Sequence, residues 1–336
     1  MTRSLARRTL RPRPSQGAAL LVAMVLLSVV ATLSAGMVWQ QWKGVQVETA
    51  ERSRAQTAWV LQGALDWSRL ILREDARSGR STNLNEPWAT PLAEARLSTF
   101  LATDADHNTE TGPEAFLAGG ISDAQSRYNL RNLVIDAKVV PAQLAVLQRL
   151  CLGAGLSEGV ASQVASGLLA AQAAANLTAG NNKNDNSGSN SNSSAPLPPQ
   201  QMADLAWLGL DASTIERLSA VATLLPVRTA LNVNTASREV LAGVITGLGL
   251  GGADRLVQQR LRAPFNDLAA VSAMLGASVT LTPGEVDVRS SYFEVRGRLR
   301  LEQRLLSEQS LVTRSGAGEV TTVQRLRQAG LSLPGR

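Results

Sequence analysis

Ala18 to Trp39 reads AALLVAMVLLSVVATLSAGMVW, a run of 22 residues without a charge. About 20 apolar residues suffice to span the hydrocarbon core of a bilayer, so this segment predicts a transmembrane helix and makes lipid the first partner. Trp39 and Trp42 close it, where amphipathic rings favour the membrane interface. Arg3, Arg7, Arg8, Arg11 and Arg13 precede it, and only Lys43 follows closely. The positive-inside rule then predicts a single-pass protein with a cytoplasmic N-terminus and its bulk across the membrane.

The leader itself has three readings. A cleaved secretory signal has a basic start, but its apolar core is usually shorter and its exit needs small residues, for which Ser34 and Gly36 are the best pair. An uncleaved anchor is the second. The third rests on Gly17, which stands where the basic leader meets the apolar run in Ser15-Gln16-Gly17-Ala18-Ala19-Leu20-Leu21. This resembles a prepilin-peptidase site. The resemblance implies cleavage after Gly17 and methylation of the new N-terminus at Ala18.

Composition narrows the chemistry. The 336 residues carry Lys+Arg 33 against Asp+Glu 27, and without the five leader arginines the remainder is close to neutral. A large nucleic-acid footprint needs clustered positive charge, so no nucleic-acid partner is expected. Cys151 is the only cysteine and His107 the only histidine. That excludes an intrachain disulfide, a CxxC site and almost every Cys/His or Ser/His/Asp mechanism. No GxSxG, Walker or HExxH pattern is present, and no enzyme is expected.

Helical periodicity continues beyond the membrane segment. Gln40 to Ser78 lacks proline, Ala58, Leu61, Leu65 and Leu72 recur at helical spacing, and Gly79 suits a C-cap. Either one helix of roughly 90 Å or two helices bent near Gly44 satisfies the pattern. Short strands are expected around 96–101 and 115–121, with strands and irregular turns to Leu133. Val140 to Ala175 reads as helical, with Pro141 in a first turn. Residues 176–200, NLTAGNNKNDNSGSNSNSSAPLPPQ, lack the apolar surface needed for order and are expected to form a disordered loop within the helical region. Helical signals resume at 202–208 and 213–224 and run to about Leu275. From Glu294 to Leu305 charged and apolar residues alternate, predicting one half-buried strand with its charged face in water. Further strands are expected near 311–313 and 321–326.

These features together resemble the K-type minor pseudopilins of type II secretion (general secretion pathway protein K). The resemblance rests on the Gly17 junction, the long apolar helix, Glu86-Pro87-Trp88-Ala89, the stretch from Ile121 and Asp123 through Arg127-Tyr128-Asn129-Leu130 to Asn132-Leu133, and Leu231-Asn232-Val233-Asn234-Thr235-Ala236. It implies an α+β fold: an N-terminal transmembrane and long helix, a pseudopilin-type antiparallel sheet and a large inserted all-α domain. The expected boundaries are a leader at 1–17, a transmembrane helix at 18–42, the first part of the head at 43–133, the insert at 134–281 and the C-terminal strands at 282–336. It implies a subunit at the tip of the pseudopilus in the inner membrane, with its bulk in the periplasm, helping to export folded proteins. Expected partners are the I-, J- and H-type minor pseudopilins, the inner-membrane platform and the prepilin peptidase.

Two sites follow from this resemblance. Most pilins carry Glu as the fifth residue after the cut, and here that residue is Val22. A carboxylate in lipid is costly unless paired with a neighbour's N-terminal ammonium. Lacking it, this subunit has no such pair to offer upward, as suits a tip. The resemblance also implies calcium. Asp104, Asp106, Asn108 and Glu110 place oxygen ligands at alternating positions, but Thr109 replaces the turn glycine of an EF-hand and Ala115 its twelfth ligand.

A competing reading takes Leu231–Ala236, Leu248-Gly249-Leu250-Gly251 and Pro264-Phe265 as similar to the helix-hairpin-helix module of membrane-anchored competence DNA receptors. In it Asn234-Thr235 is a helix N-cap, and Arg255, Arg260 and Arg262 flank the hairpin.

Overall fold

The computed structural model describes residues 16–331 except 80, 98–114, 181–196, 277–278, 280, 283, 302–303 and 317. The chain divides into two units, Met1–Val60 and Leu61–Arg336. Helix α1, Gln16–Arg77, runs through Gly44 without a break, which decides between the one-helix and two-helix readings. It ends as expected at Gly79, whose φ of 64° suits a residue without Cβ.

In the first unit every described side chain from Ala18 to Thr49 is exposed. Two of its hydroxyls are satisfied within the helix: Ser28 donates to the Val25 carbonyl at 2.8 Å and Thr32 to that of Val29 at 2.9 Å. These bonds remove the cost of an unpaired hydroxyl in hydrocarbon. Trp39 and Trp42 stack at 5.3 Å, and the Lys43 ammonium sits 5.7 Å from the Trp39 ring centre. Two rings and a cation at one end of an apolar span form an interfacial collar.

The second unit contains a five-stranded antiparallel sheet: β1 (Leu92–Arg96), β2 (Ala115–Asp123), β3 (Tyr292–Leu301), β4 (Arg304–Arg314) and β5 (Val320–Leu331), in that spatial order. One sheet face packs on the last turns of α1. Leu65 and Leu72 meet Phe293, Val295 and Val312, with Trp88 set edge-on against Phe293 at 5.2 Å. Gly297 lets the helix approach closely here: a Cβ would lie 3.1 Å from the Leu61 side chain, a tight contact. The predicted strand 294–305 needs correction. Leu301 pairs with Arg304, so the alternating run spans the junction of two antiparallel strands. Nor is its whole charged face in water: Glu294 is buried, clamped between Arg127 and Arg296.

Strands β2 and β3 are hydrogen-bonded neighbours, with Asp123 opposite Phe293, although residues 124–291 lie between them in sequence. That intervening chain holds the helices α2 (Pro141–Gly153), α3 (Glu158–Gly180), α4 (Ala212–Val221), α5 (Arg238–Val244), α6 (Gly249–Arg262) and α7 (Leu268–Leu275). The molecule is therefore α+β, as expected. Pro141 opens α2, whose Val146, Leu147, Leu150 and Cys151 share one buried face with Leu205, Leu241 and Leu256. Residues 202–208 are a 3-10 turn rather than an α-helix, capped by reciprocal bonds between Gln201 and Asp204. Helix α3 continues to Gly180, past the start of the tract expected to be loop from 176. The rest of that tract, 181–196, lies outside the described residues.

Candidate functional site

Function in a chain of this kind rests on how it is anchored and how its head is held together. Gly17 and Ala18 fall in the first turn of α1. Val22 follows one turn later and is 58% exposed, on a helix whose apolar window has no buried residue. This is the composition and exposure of a lipid-facing segment.

In the second unit Asp123 ends β2 at the point where the chain leaves the sheet, and it is 3% exposed. One carboxylate oxygen accepts from Asn232 Nδ2 at 3.0 Å, Thr235 Oγ1 at 2.5 Å and Ser290 Oγ at 2.6 Å; the other accepts from the Gln125 amide at 2.8 Å. Asn232 also donates to the Thr82 carbonyl at 3.0 Å and to Ser290 Oγ at 2.9 Å. The Gln125 side chain donates to the Ala230 carbonyl and accepts from the Ser291 amide. Four distant segments thus converge where the insert departs and returns. Burial raises the Asp123 carboxyl above the usual aspartate range, and the four donors oppose that rise.

The same motif accounts for the residues read as a DNA module. Asn234 exchanges two bonds with the Phe265 backbone, each 2.9 Å. Arg260 is turned inward, 8% exposed, and donates to the Val233 carbonyl at 2.7 Å; burial lowers its guanidinium to about 10. The expected N-cap at Asn234-Thr235 is instead Ser237, which accepts from the Val240 amide at the start of α5. A motif whose polar side chains and central arginine are spent on internal bonds offers no phosphate-binding surface. The DNA reading is not supported.

A second carboxylate cluster joins α1 to the sheet. Asp75 pairs with Arg314, which also donates to Thr82 and lies 4.7 Å from the Phe293 ring centre. Near it, Glu86 accepts from Trp88 Nε1 and from Asn83 Nδ2. Burial raises the Glu86 carboxyl from 4.5 to about 6, the Trp88 bond opposes the shift and the Asp75 charge adds to it. A raised acid is bound more tightly to its proton when folded. Its stabilising contribution is therefore complete below pH 4.5 and is lost as pH rises through about 6. The loss is expected to be no more than about 1 kcal/mol, because the carboxyl is half-exposed and screened. Glu86→Gln should flatten the pH dependence of the urea midpoint across this window; an unchanged slope would show that another group titrates there.

Asp104, Asp106, Asn108, Glu110 and His107 lie outside the described residues. Among the described residues no group of three or more Asp, Glu, His or Cys side chains is placed to hold a metal ion. Cys151 is fully buried and its thiol is pushed up to about 11, so it is an unreactive packing residue. Sequence reading had Asp123 and Asn232 within motifs but did not join them; the only signal was a polar residue ending an otherwise apolar strand.

An apolar N-terminal helix, followed by helical turns packed under an antiparallel sheet, defines a pilin-like, membrane-anchored protein. The family described as type II secretion system (T2SS), protein K, matches residues 126–227 and 231–289. The type II secretion system protein K of Pseudomonas aeruginosa is 27% identical over 339 residues, covering 96% of each chain. That of Pectobacterium carotovorum subsp. carotovorum is 26% identical over 330 residues, covering 92% of this chain and 95% of the relative. A chain in the crystal structure of the GspK–GspI–GspJ complex from enterotoxigenic Escherichia coli shares the fold, with a TM-score of 0.55 and 15% identity over 83% of this chain and 98% of that one. By these matches the chain is similar to the type II secretion system protein K family along most of its length.

Proposed function

We propose that this chain is a minor pseudopilin that ends the pseudopilus, acting as a structural component rather than an enzyme. The observation that carries the reading is the helical insert, which leaves the sheet after Asp123 and returns before Phe293. A body of this size on one end of the head obstructs any subunit stacked above it. Val22 supports the same polarity, since it offers no carboxylate to an upper neighbour's amine. The arginine-rich leader supports a cytoplasmic N-terminus and a periplasmic head on the inner membrane.

The solved relative was crystallised with GspI and GspJ. By extension, the I- and J-type subunits are the direct partners of this head, with the H-type subunit and the inner-membrane platform beyond them. Co-expressing residues 43–336 with the I- and J-type subunits of the same organism should give one stable complex in gel filtration. Separate elution of this chain would overturn the reading. Calcium remains part of the proposal through Asp104, Asp106, Asn108 and Glu110. Chelation should lower the melting temperature of the head, and identical melting with and without chelator would remove it.

Processing by the prepilin peptidase is expected after Gly17. Sequencing the N-terminus of the membrane-extracted protein should give a methylated Ala18. An N-terminus at Met37 would mean ordinary signal cleavage instead.

A further inference from the structure

The two faces of the sheet differ in their cover. One packs on α1, while the other is open and carries the arginine row of β3. Cross-strand pairing sets its central rows: Ala118, Arg298, Ser307 and Gln328 form one, and Gly120, Arg296, Gln309 and Leu326 the next. A hollow of about 340 Å³ lies over these rows. A second, about 290 Å³, continues toward the insert, where Arg127, Met202 and Leu224 form its wall. The two share Arg296, Gln309 and Leu326 and so form one groove. Its depth comes from β2, where Ala118 and Gly120 supply almost no side chain between Leu92 and the arginines.

The lining has a definite chemistry. Gln309 and Gln328 are exposed and each carry a donor and an acceptor, the complement of an extended backbone, while Gln201 is already bonded to Asp204 and Gln324. Leu326 is 40% exposed and gives the floor an apolar contact. Positive charge is in excess. One carboxylate, Glu294, serves both Arg127 and Arg296. Arg298 is exposed and has no acidic partner among the described residues. Arg300, by contrast, is held by Glu94 and lies 4.1 Å from the Phe116 ring centre, which closes that end of the row. No aromatic ring lines either hollow, so the stacking platform that a single-stranded nucleic acid uses is missing.

We propose that this groove binds an extended acidic segment of another polypeptide, with its backbone against the glutamine amides and a carboxylate on Arg298. A guanidinium with free donors meets a carboxylate in two parallel bonds, and partial shelter by the groove strengthens them. The inference does not depend on the tip position of the subunit.

The test uses the full chain in detergent and a labelled peptide alternating Glu and Ser, read by fluorescence anisotropy against its Gln-for-Glu counterpart. The Glu peptide should bind at least about tenfold more tightly, and Arg298→Glu should remove that difference. Ala118→Trp fills the groove from the solvent side and should weaken binding by a similar factor, with melting temperatures unchanged in both variants. Equal affinity for the two peptides, or binding indifferent to both substitutions, would overturn the proposal. So would tighter binding of a single-stranded oligonucleotide of equal charge, or a self-association that Arg298→Glu abolishes; the occupant would then be a nucleic acid or a second copy of the chain.

Discussion

Asp123→Ala is expected to destabilise the head by about 4 kcal/mol, since each buried donor stripped of its acceptor costs about 1–3 kcal/mol. Thr235 and Ser290 lose their carboxylate acceptor, and so does the Gln125 amide. Asn232 suffers less, because it keeps the Thr82 carbonyl and Ser290 Oγ. The small cavity adds to the loss, since the surrounding segments are fixed by their own strands and helices. Thr235→Val removes a single donor at nearly constant volume and should cost only about 1 kcal/mol. Asp123→Asn should fall between them, because it keeps one acceptor but turns an amide toward donors. Urea unfolding of residues 43–336 followed by circular dichroism measures all three. A loss below about 1 kcal/mol for Asp123→Ala would mean that the neck between sheet and insert is held by apolar packing alone.

Removing the protein is expected to abolish secretion or leave pseudopilus length uncontrolled, and overproducing it should give fewer or shorter filaments. The reasoning is one-sided stacking. On the proposed reading, a lower subunit would set its own carboxylate against an amine freed at Ala18, Val22 would offer nothing upward, and the insert would obstruct the same side. Val22→Glu tests this asymmetry. A carboxylate in the bilayer costs up to about 3 kcal/mol without a partner, and the insert prevents the partner from arriving. That variant should therefore secrete no better than wild type and anchor less stably. Restored filament growth past the variant would show that Val22 alone sets the limit. Wild-type copies found along the shaft by immunolabelling, as often as the major subunit, would sink the capping role.

Much of the architecture was legible before any coordinates. The anchor announces itself because a bilayer acts on composition over one contiguous segment, and Ala18–Trp39 satisfies it whatever the rest of the chain does. The strand β3 was visible because a sheet with one covered face enforces a two-residue period. Helix α2 was legible from Pro141 and its apolar spacing. Other features needed the third dimension. The alternation through Leu305 does not mark the junction of two strands, because the period is the same on both sides of it. Glu294 reads as one more solvated charge, and only the approach of Arg127, 167 residues away, makes it a buried one. Asn234 also fits a helix N-cap and Arg260 the flank of a DNA-binding hairpin until Phe265 and Val233 are placed beside them.

The chain by itself therefore determined the membrane anchor, the α+β class and most helices and strands, since each depends on residues close in sequence. Tertiary structure decided the hub at Asp123. Its partners Asn232, Thr235 and Ser290 lie 109, 112 and 167 residues further along. A buried carboxylate must find donors, but local sequence carries no information about which distant loops close around it. That choice belongs to the packing of the insert against the sheet, where the cost of an unpaired polar group selects one closure among many.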